Sequence, residues 1–501
     1  MITEKQIYQA YYTKSRPIVH YMIDLLGLKG EEYILEPCAG DGVFIDAVVH
    51  NYPKVRLDAL ELNDASYVNL LTRYGKFNQI RIRQTDTLTD VALESICSTG
   101  GKYDAVIANP PYGAWRTVSE RKQLKKSYQG LYVKESYALF LYRCIEALKE
   151  GGKLVFIIPD TYLNLHSHKG IRKHILTQTK IQEIALFPSS YFPEVNFGYA
   201  NLSIIALEKC SNRVECLGHT FDILKGFQKV DDLMDRNQEQ IKHISLKQAD
   251  VHQNHGYAFI NADNERITQL IQDTNLTIGN FCACVTGFYS GNDKNFLKVR
   301  NKEIRNAKRY EVVDLDAVEF DCHAALVDGN TSNKQYVPIV KGGNTKYYKP
   351  DNWFMEWSKT TVAFYKQNKK ARYQNAAFYF KKGIAVPMVS ASSITGALIE
   401  NRLFDQSIVG IFPKNEQLLY YWLAFFNSPT CNQLIRTINP STNNSSNYIK
   451  KIPVLLPEKK VLNTITHNTQ QIIALVKANQ REHTTTYETE NNCLIKELYG
   501  F

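Results

Sequence analysis

The sequence predicts an α/β fold: a doubly wound, mostly parallel sheet in the first part of the chain, followed by a separate mixed α+β domain. Three observations carry this. Between residues 31 and 207 short apolar runs alternate with helical patterns, which is the signature of βαβ units and a parallel sheet. Beyond about residue 210 the alternation fades into a polar stretch rich in acids. With 501 residues, two to four domains at roughly 150 residues each are expected.

The predicted strands are Tyr33–Pro37, Val55–Leu62, Ile80–Asp86, Tyr103–Pro111, Lys153–Asp160, Ile181–Phe187 and Asn201–Glu208. Each is short and rich in Val, Ile, Leu or aromatics, and the last two are expected to pair as an antiparallel hairpin at one edge. Segment 136–150 has Ala138, Leu139, Tyr142, Ile145 and Leu148 near helical spacing and stops at Gly151-Gly152, so it reads as a helix feeding the next strand. Residues 1–215 are expected as one domain, 216–255 as a linker containing Asp231, Asp232 and Asp235, and 256–501 as a second domain with helices at 414–427 and about 461–480.

Composition narrows the function. Lys+Arg number 60 against Asp+Glu 50, a net charge of +10. Residues 1–250 hold 31 basic and 29 acidic side chains and 251–501 hold 29 and 21, so the second half carries most of the affinity for a polyanion. Ten cysteines form no C-x-x-C pair and no zinc spacing, so no metal site is expected, and they lack the density of a disulfide scaffold. The start, MITEKQIYQAYYTKS, has no apolar signal segment, and the longest apolar run, Leu418–Phe426, is far shorter than the roughly 20 residues of a spanning helix. A cytoplasmic protein with reduced thiols and no membrane partner is expected.

Two motifs carry chemistry. Asn109-Pro110-Pro111-Tyr112 follows the strand YDAVIA, at the carboxyl end where doubly wound sheets bind ligands. The prolines stiffen the turn; the Asn109 amide oxygen and the Pro110 carbonyl form a pair of acceptors for an –NH₂ group, and Tyr112 offers a flat face. The second motif, Ile34-Leu35-Glu36-Pro37-Cys38-Ala39-Gly40-Asp41-Gly42-Val43-Phe44, runs from strand through a small-residue turn to helix. It is neither G-x-G-x-x-G nor a P-loop, so it suits a cofactor without phosphate. Glu61 ends the next strand, where an acid holds ribose hydroxyls, and Asp86 ends the one after, where a group bonding an adenine amine belongs.

With these residues in place the sequence resembles the S-adenosylmethionine-dependent N6-adenine DNA methyltransferases of type II restriction-modification systems, gamma class. The family's N-PP-Y motif matches Asn109–Tyr112, its E-P-x-x-G-x-G-x-F turn matches Glu36–Phe44, and its upstream Y-T-P element looks like Tyr12-Thr13, with Lys14 in place of the proline. The resemblance implies the class I methyltransferase fold and a cofactor pocket of Thr13, Glu36, Cys38, Ala39, Glu61, Asp86, Asn109 and Pro111. It implies that Asn109, Pro110 and Tyr112 hold the target amine, and that an aromatic after the edge strand, Phe192 or else Phe197, stacks on the flipped base. Double-stranded DNA with a short specific site is the implied partner, read by 256–501. A cognate restriction endonuclease would share the site without needing to bind, and a monomer suffices.

The basic, aromatic stretch 341–382, with ten Lys/Arg against Asp351 and Glu356 and with Tyr347, Tyr348, Trp353, Trp357, Tyr365 and Tyr373 among its aromatics, reads as a DNA-holding face or as a solvated face over an aromatic core. Arg116, Arg121, Lys122, Lys125, Lys126 and Lys134 read as a loop over the flipped base. NPSTNNSSNYIKK (439–451) offers amides to bases or is a plain turn. The competing functions are methylation of RNA adenine or protein glutamine, an inert DNA-binding specificity protein, and a nuclease-methylase fusion. The fusion is disfavoured because the methylase motifs begin by residue 12 and no D…E-x-K set follows.

Overall fold

The computed structural model describes residues 15–113, 116–191, 201–259, 265–390, 393–439 and 442–500. It divides into two compact units, Met1–Asp263 and Asn264–Phe501.

The first unit is built on one sheet. Strands β1 (Tyr33–Glu36), β2 (Arg56–Glu61), β3 (Ile80–Gln84), β4 (Tyr103–Ala108), β5 (Leu148–Pro159), β6 (Thr179–Phe187), β7 (Leu202–Lys209), β8 (Thr220–Lys225) and β9 (Lys242–Lys247) lie in the order β3-β2-β1-β4-β5-β7-β6-β8-β9. β3, β2, β1, β4 and β5 run parallel, whereas β7 is antiparallel to both β5 and β6. The chain leaves β1 and returns on both sides of it, so the sheet order reverses there. A crevice opens at such a point, beyond the carboxyl ends of the central strands.

The strand interiors are apolar because both faces are covered: Ile34, Leu35, Val106, Ile107, Val155 and Phe156 are fully buried. Helix Arg16–Leu26 buries Ile18, Val19, Met22, Ile23 and Leu26 and ends at Gly27 in the left-handed region. Helix Ser136–Ala147 starts where the periodicity placed it but ends three residues earlier than expected, because β5 begins at Leu148 and runs through Gly151-Gly152.

Two expectations are revised. The antiparallel pair β6/β7 is not at the edge, and residues 216–255 are not a linker, because β8 and β9 extend the sheet there. β8 buries Phe221, Ile223 and Leu224, while β9, the outermost strand, is charged and largely exposed. A polar edge strand reads as a linker in sequence because protecting an edge calls for charges rather than apolar side chains.

The second unit contains two four-stranded sheets. One orders β10 (Cys282–Thr286), β17 (Ile408–Pro413), β14 (Gly383–Pro387) and β15 (Ala397–Ile399). The other orders β11 (Leu297–Val299), β13 (Trp353–Glu356), β12 (Tyr336–Val340) and β16 (Leu403–Phe404). Helices Leu419–Asn427 and Lys459–Lys477 fall close to the predicted positions, and Thr485–Tyr499 follows. No helix among the described residues is long and apolar enough to cross a membrane.

Candidate active site

The strand order sets the site. Because β3, β2, β1 and β4 are consecutive neighbours, their carboxyl ends bring Asp86, Glu61, Glu36 and Asn109 into one row. At about 4.8 Å per strand the row is about 14 Å long.

Glu36 closes β1. It is 1% exposed, and among the described residues its Oε2 has no hydrogen-bond partner. Burial, and then the carboxylates of Glu61 and Asp46, raise its proton affinity far above the ordinary carboxylate range. A buried acceptor facing another acid is a site that wants a cation or a donor.

The turn after Glu36 leads into helix Val43–Asn51. Gly40 and Gly42 sit at φ 51° and 78°, where side-chain-bearing residues are strained. At Gly42 space is also short: a Cβ would lie 2.8 Å from the Tyr74 ring and 2.9 Å from Leu70. The Ala39 amide donates to the Leu60 carbonyl at 2.9 Å, and the Cys38 thiol lies 3.5 Å from the Asn109 carbonyl. Burial, with Glu36 and Glu61 nearby, pushes that thiol well up, so it stays protonated.

Glu61 ties the row together. Its Oε2 accepts from Gly40 N at 2.7 Å and its Oε1 from Asn63 N at 2.7 Å, so β2 holds the turn after β1. Burial outweighs these bonds and raises its proton affinity modestly. Asp86 accepts from Leu88 N at 3.0 Å and from both terminal nitrogens of Arg116 at 2.8 Å. Arg116 is 6% exposed. It was expected in a basic loop over the base; the structure makes it the buried counter-ion of Asp86. Lys122, Lys125 and Lys126 on helix Val118–Ser127 are exposed.

Asn109 is half-buried, Pro110 buried and Pro111 half-buried. Tyr112 is buried, and its hydroxyl lies within hydrogen-bond reach of Asn109 Oδ1 and of the Ile157 carbonyl on β5, at 3.2 Å. The amide oxygen expected to meet an amine is therefore oriented by the tyrosine of its own motif. Thr13, Phe192 and Phe197 lie outside the described residues.

One strand-end acid was missed. Asp160 follows β5, beside the Asn109 strand, and burial lifts its carboxyl to about 7 against a hydrogen bond from Asn201. The rule that singled out Glu61 and Asp86, an acid closing an apolar run, fits KLVFIIPD equally well.

In the second unit the aromatics of 341–382 are mainly core. Trp357, Tyr365 and Tyr379 pack around Phe288, with ring centroids 4.9–6.4 Å apart, and Tyr347, Phe354 and Phe380 are also buried. Several lysines are structural as well: Lys341 bridges Asp293 and Asp405 at 2.7 and 3.2 Å, and burial lowers Lys349 to about 8. Lys359, Lys369, Lys370, Arg372 and Lys381 are exposed. In 439–451, Asn439 and Asn444 are fully buried: the Asn439 amide donates to the Asn443 carbonyl at 2.7 Å and the Asn444 amide oxygen accepts from Arg436 at 3.3 Å, so both are engaged inside the fold. Among the described residues no group of three or more His, Cys, Asp or Glu is placed to hold a metal ion.

Residues 49–192 match the family model of the Eco57I restriction-modification methylase. The type II methyltransferase M.HincII of Haemophilus influenzae is 28% identical over 202 residues, covering 38% of this chain and 36% of its own. The adenine-specific methyltransferase BrxX of Escherichia coli O9:H4 (strain HS) is 22% identical over 400 residues, covering 79% of this chain and 31% of its own. The chain spans about a third of the length of these curated relatives. Among solved structures, a DrdV–DNA complex aligns with a TM-score of 0.57 at 14% identity, covering 94% of this chain and 57% of that one.

Proposed function

We propose that the chain is a restriction-modification methyltransferase that moves a methyl group from S-adenosylmethionine to the N6 amine of adenine in double-stranded DNA. The observation that carries this reading is the row Asp86–Glu61–Glu36–Asn109, with Glu36 Oε2 buried and unpartnered at its centre. Support also comes from the methylase family match over 49–192 and from the adenine-specific name of the BrxX relative.

The residues fit the cofactor on their own chemistry. Glu36 would present a buried acceptor to an ammonium group, Glu61 holds the turn that would carry the ribose, and Asp86 would meet the adenine end. The Gly40–Gly42 turn gives close backbone approach without a phosphate cradle. When bound, S-adenosylmethionine supplies a methyl group activated on a sulfonium.

The target amine is a poor nucleophile, since its lone pair is conjugated into the ring, and it lies inside the duplex. Flipping the base costs a few kcal/mol, which binding has to recover. Asn109 Oδ1 and the Pro110 carbonyl would accept one N–H each, drawing the nitrogen toward tetrahedral geometry and freeing its lone pair. The Tyr112 hydroxyl on Asn109 Oδ1 holds that amide in place, and a carbonyl oxygen has two lone pairs, so the same atom can serve both tyrosine and amine. Catalysis is then positioning and electrostatics, with no essential general base.

Incubation of purified protein with genomic DNA and labelled cofactor, followed by nucleoside mass spectrometry, tests the reading. N6-methyladenine is the expected product. Label on RNA adenine or on a glutamine peptide, with none on DNA, would overturn the substrate assignment, and absence of cofactor binding would favour an inert specificity protein.

A further inference from the structure

The Asp86–Arg116 pair joins two parts of the site that are 30 residues apart in sequence. Asp86 lies two residues past the end of β3, at the far end of the row from Asn109. Arg116 follows the Asn109–Tyr112 motif and immediately precedes Thr117, which with Glu120 caps helix Val118–Ser127 and so fixes the backbone behind the arginine. The guanidinium meets the carboxylate as a fork, Nη1 to Oδ2 and Nη2 to Oδ1, each at 2.8 Å. Such a fork sets the plane of the carboxylate as well as its position, which a lysine could not do.

Counting lone pairs gives the fork a role. A carboxylate offers about four acceptor sites. Arg116 takes one on each oxygen, and Leu88 N takes the second on Oδ1 at 3.0 Å. One site remains, on Oδ2. Charge along the row points the same way. Burial, and then the Glu61 and Asp46 carboxylates, raise Glu36's proton affinity, whereas Asp86 already has its cation. Among the described residues the row thus holds two acids without a paired cation at the β1–β2 end and one already paired at the β3 end.

We propose that Arg116 is a positioning residue that leaves Asp86 a single acceptor for the exocyclic amine of the cofactor's adenine, and that neutralising Asp86 fixes which way round the cofactor lies. The cationic amino-acid part goes to Glu36 and the neutral base to Asp86. The inference rests on the function proposed above.

The test measures binding by calorimetry, using S-adenosylhomocysteine and its analogue lacking the 6-amino group. Wild type is expected to prefer the amino form by about tenfold or more, as a hydrogen bond to a charged group would give. In Arg116→Gln that preference should collapse to within about twofold, and Arg116→Lys, which keeps the charge without the fork, should lose most of it. The preference is a ratio of two affinities, so partial unfolding does not mimic its loss, and Asp86→Asn/Arg116→Gln supplies a variant with no unpaired buried charge. Retention of the full preference in Arg116→Gln or in the double variant would overturn the proposal and leave the methyltransferase reading intact. Failure of wild type to bind either compound would overturn both.

Discussion

Glu36→Gln separates what the site costs the fold from what it does for a ligand. Glu36 is fully buried, its Oε2 lacks a partner among the described residues, and Glu61 and Asp46 repel its charge. Its folded-state proton affinity is therefore raised. As pH climbs from the ordinary carboxylate range, the unfolded chain has already released a proton that the folded chain still holds, so stability falls with rising pH. A buried polar group without a partner costs about 1–3 kcal/mol, and more when charged. Gln carries no charge, and its amide can donate toward the neighbouring acids. Glu36→Gln should therefore stabilise the unliganded protein by about 1–3 kcal/mol at pH 8, a rise of about 2–4 °C in melting temperature per kcal/mol for a unit of this size. The same change should weaken S-adenosylmethionine binding roughly 10- to 100-fold, the worth of a hydrogen bond to a charged group. Thermal melts from about pH 5 upward and calorimetry with the cofactor read both effects. A lower melting temperature at pH 8, or unchanged cofactor affinity, would refute the reasoning.

Three further outcomes are expected. Gly42→Ala places a Cβ against Tyr74 and Leu70 at a positive φ, costing about 1–2 kcal/mol for the backbone and about 1–3 for the crowding, read as a lower urea midpoint; no shift would refute the packing. Asp160, lifted to about 7, should make stability fall as pH rises from the ordinary carboxylate range to about 7 and then level off. Asp160→Asn should flatten that slope in thermal melts. Replacing exposed Lys369, Lys370 and Arg372 by Ala should reduce the slope of log K for DNA against log salt by up to about 2.7, about 0.9 for each phosphate no longer neutralised, and an unchanged slope would remove them from the DNA face.

Much of the first unit was legible because burial on both sheet faces forces long apolar strands, so YDAVIA and KLVFII announce themselves. The site was legible for a related reason: polar residues closing apolar runs stand out, and strand order then places them side by side. Three things were hidden. β9 is polar because it is an edge, Arg116 reads as one more basic loop residue until its pairing with Asp86 is seen, and the aromatics around Trp357 look the same in sequence whether they line a core or face a ligand. Pairing across 30 residues and the choice of buried face are both tertiary facts.

The central claim is tested most directly at Asn109. Transfer of labelled methyl from S-adenosylmethionine to adenine in duplex DNA should be readily measured for the wild-type protein and abolished in Asn109→Ala, with the fold retained in the variant. Wild-type transfer by Asn109→Ala would contradict the account.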